Sequence, residues 1–173
     1  AHYGIKKVIT HTTREMRKGE VNDVDYHFVS KEEFEKMKKN DEFIETVTFN
    51  GNFYGTSKKE VKIDKCMAVE FNGAKTYSSF HDPKIVIFYM KANEKLRLSR
   101  MYGRGDDPEK IKSRIDNDHQ AFELDDSIYK IIDVEVDTEK YDIAQAADFI
   151  YHKYLEILKE RNIDISSILN TER

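Results

Sequence analysis

Two arginines three residues apart form the first group in the sequence that could do chemistry. Arg14 and Arg17 lie in the polar stretch THTTREMRKGEVNDVDYHF, residues 10–28. A planar guanidinium group can hold a phosphate through two parallel hydrogen bonds, and two such groups beside a glycine-containing turn could converge on one anion. The same pair is also typical of a solvated surface loop, so both interpretations stay open on these residues alone.

Further polar side chains accompany the two arginines. Tyr26 lies in the same stretch, and Glu45 and the segment FYGTS, residues 53–57, follow it. A tyrosine hydroxyl can reach a phosphate oxygen, and a carboxylate can accept two N–H donors from the edge of a purine base. This combination favours an anion-binding site over a plain surface loop.

The segments around these residues predict the elements that must position them. Residues 5–10 are a β-branched run typical of a strand, and residues 25–30 are a second extended segment. Ser30, with a glutamate three residues later, predicts a capping box at the start of an amphipathic helix. Asn50-Gly51 within an alternating run predicts a tight antiparallel hairpin.

The second half of the sequence has a different pattern. The runs CMAVEF and KIVIFYM are almost continuously apolar, which is typical of strands buried on both faces of a parallel sheet. Helices are predicted around residues 72–80, over residues 93–102 and 108–123, and over the long C-terminal segment that follows the strand KIIDVEV. The order of elements predicts an α/β fold with a parallel sheet, flanking helices and an antiparallel insertion.

Composition and charge limit the classes of protein to which the chain can belong. Its 173 residues suit one domain, and 39% hydrophobic and 36% charged residues suit a soluble globular protein. The net charge of −4 and the pI of about 5.9 disfavour a protein that coats nucleic acid, so we expect no nucleic-acid partner. No apolar run approaches the roughly 20 residues of a membrane span, so we expect no membrane partner.

Cysteine and histidine give no sign of a metal site. Cys66 is the single cysteine, so no internal disulfide can form, as expected for a cytoplasmic protein. The histidines at positions 11, 27, 81, 119 and 152 do not fall into a metal-ligand spacing with one another or with Cys66. We expect structural or surface roles for them and predict no metal ligand.

The motifs resemble those of the guanylate kinase family. TTREMRKGEVNDVDYHF, EFIE and GNFYGTS follow one another in the order and at the spacing of the family's S-x-TTR-x-x-R-x-GE-x-x-G-x-DY-x-F, FIE and G-N-x-YG-[ST]-S segments. The resemblance is strong over residues 10–57 and fainter beyond them. There, NGAK is similar to the family's QGA element, and GRG followed by KSRI is similar to its lid.

The resemblance implies an arrangement of domains. It predicts a P-loop-kinase-like core formed by residues 1–10 and 66–173, with a helical lid over about residues 103–118. Residues 11–65 would form an inserted antiparallel subdomain that binds the nucleoside monophosphate.

The resemblance also implies roles on the acceptor side. Four residues would hold the phosphate of GMP, namely Arg14, Arg17, Tyr26 and Tyr54. Glu45 would read N1 and the 2-amino group of guanine. Three further residues would lie near the base or the nucleotide, namely Thr10, Thr56 and Glu70, the last where the family usually has an aspartate.

On the donor side, the resemblance implies ATP and Mg²⁺. Arg104 and Arg114 would be lid arginines that close over the transferred phosphoryl group, with Arg100 supporting them. Asp133 would replace an asparagine often found near the adenine site. On residue type alone, the arginines of residues 97–104 are also typical of helix-surface charges.

The sequence departs from the family pattern in one major respect. It contains no G-x-x-G-x-G-K-[ST] phosphate loop, and it begins with Ala1, about where the helix after that loop should end. We expect it to be a piece of a longer protein that carries the loop. Ala68 also stands where the family commonly has an acidic residue.

Two functions remain from the sequence. The first is an ATP-dependent kinase of GMP or dGMP, monomeric or homodimeric, which the segment GEVNDVDY favours. The alternative is a non-catalytic guanylate-kinase-like module that binds GMP or a phosphorylated peptide with the same arginines and tyrosine.

Overall fold

The computed structural model describes residues 3–49, 51–69, 71–103, 105–109, 111–113, 115–116 and 126–169. Its contacts divide the chain into two compact units, residues 1–68 with 166–173, and residues 69–165. The fold class is α/β, as predicted, with parallel and mixed sheets and several helices. The division into a core, a lid and an insert stays a prediction.

The first unit is built mainly from short strands. Its elements are β1 (Lys6–Lys7), β2 (His11–Thr12), β3 (His27–Phe28), α1 (Lys31–Lys39), β4 (Phe43–Phe49), β5 (Asn52–Ser57), the 3₁₀ turn Lys58–Glu60, β6 (Lys65–Cys66) and the short helix Ser166–Leu169. One four-stranded sheet has the order β3-β2-β5-β4, with β2 parallel to β3 and antiparallel to β5. A separate parallel pair joins β1 to β6.

The local predictions for the first unit are largely confirmed. The Ser30 hydroxyl accepts the Glu33 backbone N–H at 3.1 Å and caps α1. β4 and β5 pair antiparallel around Gly51, whose φ of +74° a glycine adopts without strain. The hairpin therefore forms where the sequence predicts it.

Two predicted strands differ from the observed ones. The run of residues 5–10 is not one strand, because β1 pairs with β6 whereas β2 pairs with β3 and β5. The run CMAVEF contributes only Cys66 to a strand, because β6 pairs with β1 over just two residues. Different partners, rather than residue types, end these strands.

Aromatic packing joins α1 to the sheet of the first unit. Phe34 is 1% exposed and stacks on Phe43 with ring centroids 4.5 Å apart. Gly55 lies against both rings, and a Cβ at this position would be 2.9 Å from Phe43 Cδ1 and 3.0 Å from Phe34 Cζ. The glycine of the YGT segment is therefore required by close packing.

The second unit combines helices with a parallel strand pair. Its elements are α2 (Phe71–Ser79), β7 (Phe88–Lys91), α3 (Glu94–Gly103), the 3₁₀ turn Asp126–Lys130, β8 (Val134–Asp137) and α4 (Ile143–Glu160). Residues 108–109, 111–113 and 115–116 are also helical. β7 and β8 pair in parallel, as their apolar sequences predict.

Buried apolar side chains hold these helices in place. Met101, Ile111 and Ile115 form one cluster with Leu98 packed against it. A capping box of Asp142 and Gln145 begins α4. None of the helices in the described ranges is both long and apolar enough to cross a membrane.

Candidate functional site

Two threonines fix the backbone in front of Arg14. Thr12 is fully buried, and its hydroxyl donates to the Phe53 carbonyl and accepts the Arg14 backbone N–H, each at 3.1 Å. The Thr13 hydroxyl accepts the Phe53 N–H at 2.9 Å. Both threonines therefore tie the start of the loop after β2 to Phe53 of β5. The sequence-based predictions did not include this role of Thr12 and Thr13. The two hydroxyl side chains directly before Arg14 could have indicated it.

Glu20 holds the guanidinium group of Arg14. Its Oε1 accepts from Arg14 Nη2 at 2.7 Å, and its Oε2 accepts from Arg14 Nη1 at 3.0 Å and from the Arg17 N–H at 2.7 Å. Arg14 Nη1 also donates to the Glu15 carbonyl at 2.7 Å. These contacts orient a side chain that is only 14% exposed. Sequence reasoning did not assign Glu20 this role.

The hydrogen bonds between Arg14 and Glu20 shift the pKa of both groups. They raise the pKa of Arg14, and the neighbouring Tyr54 side chain acts in the same direction. They also lower the pKa of Glu20, to which the Arg17 backbone N–H contributes. The ion pair therefore stays charged over the neutral pH range. Gly19, with φ of +92°, permits the turn that brings Glu20 back to Arg14.

Aromatic rings surround the same guanidinium group. Arg14 Cζ lies 5.5 Å from the ring centroid of Tyr26 and 5.6 Å from that of Phe28. The Tyr26 and Tyr54 ring centroids are 6.2 Å apart. The structure thus brings together Arg14, Tyr26 and Tyr54. They come from the loop after β2, from the position just before β3 and from β5. The Arg17 side chain is exposed on the adjoining turn, and its backbone N–H shares Glu20 with Arg14.

A second polar group lies on the same sheet. Glu45 pairs with Thr56 across β4 and β5, next to a bulge between Phe43 and Glu45. The Thr56 hydroxyl lies 3.5 Å from Glu45 Oε1 and Thr56 is 2% exposed. Because Tyr54 and Thr56 are two residues apart on β5, their side chains project from the same face of the sheet. The carboxylate and the tyrosine therefore occupy neighbouring positions on one surface.

Thr10 belongs to the same strand region. Its carbonyl accepts the His27 N–H at 3.0 Å, which joins the residues before β2 to β3. The half-buried Thr10 side chain precedes the buried Thr12 by two residues. Its predicted contact with the base stays a prediction.

In the second unit, Arg100 is bound to the residue after β8. Its Nη1 donates to the Thr138 hydroxyl at 3.1 Å, and its Nη2 donates to the Thr138 carbonyl at 3.2 Å. The Thr138 hydroxyl in turn donates to the Lys91 carbonyl at 3.0 Å. These bonds join α3 to the carboxyl ends of β7 and β8, the edge at which parallel sheets bind ligands. The supporting catalytic role of Arg100 stays a prediction.

Asp133 makes structural contacts at the opposite end of β8. One carboxylate oxygen accepts the Ile87 N–H at 2.7 Å, and the other pairs with Arg161. Arg161 Nη1 also donates to the Ile85 carbonyl at 2.8 Å. Asp133 precedes β8, whereas ligands bind at the carboxyl ends of parallel strands. Its assignment to the adenine site stays a prediction that these contacts do not favour.

Three predicted site residues lie outside the described residues, namely Glu70, Arg104 and Arg114. Within the described part of the chain, no group of three or more His, Cys, Asp or Glu side chains could hold a metal ion.

Comparison with known proteins gives a consistent result. A family model described as guanylate kinase matches residues 2–152. The guanylate kinases of Neisseria gonorrhoeae and of Neisseria meningitidis serogroup A are each 34% identical over an alignment of 119 residues, and the match covers 65% of this chain. The chain spans 58% of the length of each of these relatives.

A solved structure agrees with the sequence comparisons. The crystal structure of guanylate kinase from Anaplasma phagocytophilum matches with a TM-score of 0.56 and 25% identity, over 91% of this chain and 85% of that one. The motif-bearing sheet of the first unit lies within the residues that the family model matches. The chain therefore belongs to the guanylate kinase family.

Proposed function

We propose that the protein containing this chain transfers the γ-phosphoryl group of ATP to GMP or dGMP, giving GDP or dGDP. One observation carries the proposal. The Arg14 guanidinium, held by Glu20, lies beside Tyr26 and Tyr54 on the sheet that also presents Glu45. An anion site and a base-reading carboxylate on one surface match a nucleoside monophosphate.

The acceptor phosphate would bind to the part of Arg14 that Glu20 leaves open. A guanidinium group has five N–H donors. Three of them donate to Glu15 and Glu20, and the group also hydrogen-bonds with the Tyr54 side chain. The N–H donors that Glu15 and Glu20 leave unused would bind the phosphate together with the Tyr54 hydroxyl. The hydroxyls of Tyr26 and Tyr54, with Arg17 from the adjoining turn, would supply further donors.

Glu45 would select guanine over adenine. Its carboxylate can accept both the N1–H and the 2-amino group of guanine, whereas the corresponding N1 of adenine carries no hydrogen. The Thr56 hydroxyl restricts the carboxylate. A carboxylate that faces a base without the matching donors loses both hydrogen bonds to the ligand, and such a loss discriminates strongly between bases. Thr10 would lie near the base, and Glu70 would lie close to the nucleotide.

Phosphoryl transfer requires positioning and charge neutralisation rather than a covalent nucleophile. The insert of residues 11–65 would hold the acceptor, and the lid of residues 103–118 would close over the site and exclude water. Arg104 and Arg114, supported by Arg100, would neutralise charge on the phosphoryl group in the transition state.

Within the described residues, no group of three or more His, Cys, Asp and Glu side chains could hold a metal ion, and the sequence has no Gly-Lys-Ser or Gly-Lys-Thr for the phosphates of ATP. We assign no residue of this chain to Mg²⁺. As a GMP kinase, the protein would act in purine nucleotide metabolism in the cytoplasm, as a monomer or homodimer.

A coupled assay of the full-length protein tests the proposal. With ATP and magnesium, we expect turnover with GMP or dGMP and at least about a hundredfold lower kcat/KM with AMP, because the AMP base lacks the donors that Glu45 requires. Binding of GMP without turnover would leave the binding-module alternative in place. Equal turnover of AMP and GMP would contradict the guanine-reading role.

A further inference from the structure

We propose that Lys7 is an additional phosphate-binding residue of the acceptor site, an inference that rests on the proposed function. Lys7 lies on β1, outside the polar motif, and its Nζ is 5.8 Å from the ring centroid of Tyr26. Arg14 Cζ is 5.5 Å from the same centroid. Tyr26 therefore has two cationic side chains around its ring, and the resemblance to the family assigns a role to only one of them.

The charge of Lys7 is not compensated. Arg14 pairs with Glu20, and Lys65 pairs with Glu60. Lys7 is exposed, and within the described residues its ammonium group makes no hydrogen bond or ion pair. A cation beside an anion-binding tyrosine, without a carboxylate of its own, is available to a ligand.

A charge count explains why the site needs this cation. The positive charge of Arg14 is offset by the carboxylate of Glu20, so this ion pair supplies oriented donors but little net charge. The phosphate of a nucleoside monophosphate carries close to two negative charges at neutral pH. Lys7, with Arg17 from the exposed turn, would supply the missing positive charge. An ammonium group serves here as a point charge that follows the ligand.

The backbone on both sides of Lys7 is fixed. The Lys6 N–H donates to the Asp64 carbonyl at 2.8 Å, and the Val8 N–H donates to the Cys66 carbonyl at 2.9 Å. Val8 is 5% exposed, which anchors the strand after Lys7. The flexible side chain of Lys7 therefore projects from a fixed point, and its Nζ can move from the Tyr26 ring to a bound phosphate without a change in the backbone.

Lys6 provides a matched control. It is the neighbouring residue on β1, it is also exposed, and adjacent side chains on a strand point to opposite faces. Lys6→Met and Lys7→Met therefore remove the same charge one residue apart, but only Lys7→Met removes it from beside Tyr26. Guanosine, which lacks the phosphate, is the matched ligand.

The test is calorimetric titration of the full-length protein and both variants with GMP and with guanosine. We expect Lys7→Met to raise the Kd for GMP about fivefold at low salt, with less effect at high salt and none on guanosine. We expect Lys6→Met to stay within about twofold of the wild type, and Lys7→Arg to retain most of the affinity.

Four results would overturn the inference. Equal effects of Lys6→Met and Lys7→Met on GMP would show only a loss of general positive charge. Equal losses for GMP and guanosine would show a structural role for Lys7. If the wild-type protein binds GMP no more tightly than guanosine, both the inference and the proposed function fail. If the wild type prefers GMP and Lys7→Met keeps the same preference, only the role of Lys7 is contradicted.

Discussion

The two units of the chain hold their candidate residues in different ways. In the first unit, Arg14 donates hydrogen bonds to Thr12 and Glu20, which place it beside two tyrosines and leave part of its guanidinium group open. In the second unit, both carboxylate oxygens of Asp133 are bound to protein groups. The two regions therefore differ in how much hydrogen-bonding capacity they leave for a ligand.

This difference also has a chemical meaning. A site for the acceptor nucleotide benefits from donors that are oriented before the ligand binds, because binding then costs less conformational entropy. Each oxygen of the Asp133 carboxylate already has a protein partner, which holds this side chain in a structural contact. The proposed acceptor site thus lies where donors remain for a ligand, whereas Asp133 ties two parts of the second unit together.

The largest expected effect on stability concerns the packing under the acceptor surface. Gly55→Ala places a Cβ 2.9 Å from Phe43 Cδ1 and 3.0 Å from Phe34 Cζ, so the rings must shift. We expect a loss of about 1–3 kcal/mol in the free energy of unfolding, measured by denaturant titration.

The matched control for this packing lies in the second unit. Gly103 ends α3, and a Cβ there has nothing within 4 Å. We expect Gly103→Ala to leave the free energy of unfolding unchanged or to raise it by up to about 1 kcal/mol. Equal destabilisation by both substitutions would contradict the packing account of Gly55.

An intermediate effect would test the structural role of Asp133. Asp133→Ala leaves Arg161 and the Ile87 N–H without their carboxylate partner, and we expect a loss of about 1–2 kcal/mol in the free energy of unfolding. The KM for ATP should stay unchanged in the full-length protein. A higher KM for ATP at unchanged stability would instead support the adenine-site assignment and weaken the contrast between the units.

The smallest effect concerns a histidine of the first unit. Burial lowers the pKa of His11, and the nearby His27 acts in the same direction, with ring centroids 4.5 Å apart. The carboxylates of Glu60, Glu33 and Glu42 oppose this shift. The folded state therefore binds a proton at His11 less readily than the unfolded state does. The contribution of neutral His11 to the free energy of unfolding is complete above the ordinary histidine pKa of about 6.5, and it is lost as the pH falls below that value.

Replacing this histidine should therefore flatten the pH dependence. We expect the melting temperature of His11→Phe to fall less than that of the wild type between about pH 7 and pH 5. Parallel melting curves of the two proteins over this range would show that His11 does not contribute to acid sensitivity.

Local signals in the sequence predicted the local structure well. Ser30 caps a helix, and Asn50-Gly51 marks the hairpin, because these residue types favour particular backbone conformations regardless of distant partners. The order and spacing of the motifs led to the family and to Arg14, Tyr26 and Tyr54.

The missed features depend on contacts between distant parts of the chain. Thr12 and Thr13 matter because β2 pairs with β5, about 40 residues later. The split of residues 5–10 into two strands likewise depends on separate partners for β1 and β2. Glu20 lies close in sequence, but its role requires the left-handed backbone of Gly19. Residue types alone do not fix such pairings.

One measurement tests most directly the claim that the first unit contains the acceptor phosphate site. It is calorimetric titration of GMP and guanosine into the full-length wild type and Arg14→Met. Loss of charged hydrogen bonds should weaken GMP binding by about 10- to 100-fold and leave guanosine binding within about twofold. Unchanged GMP affinity in Arg14→Met, beside normal GMP binding by the wild type, would contradict the claim.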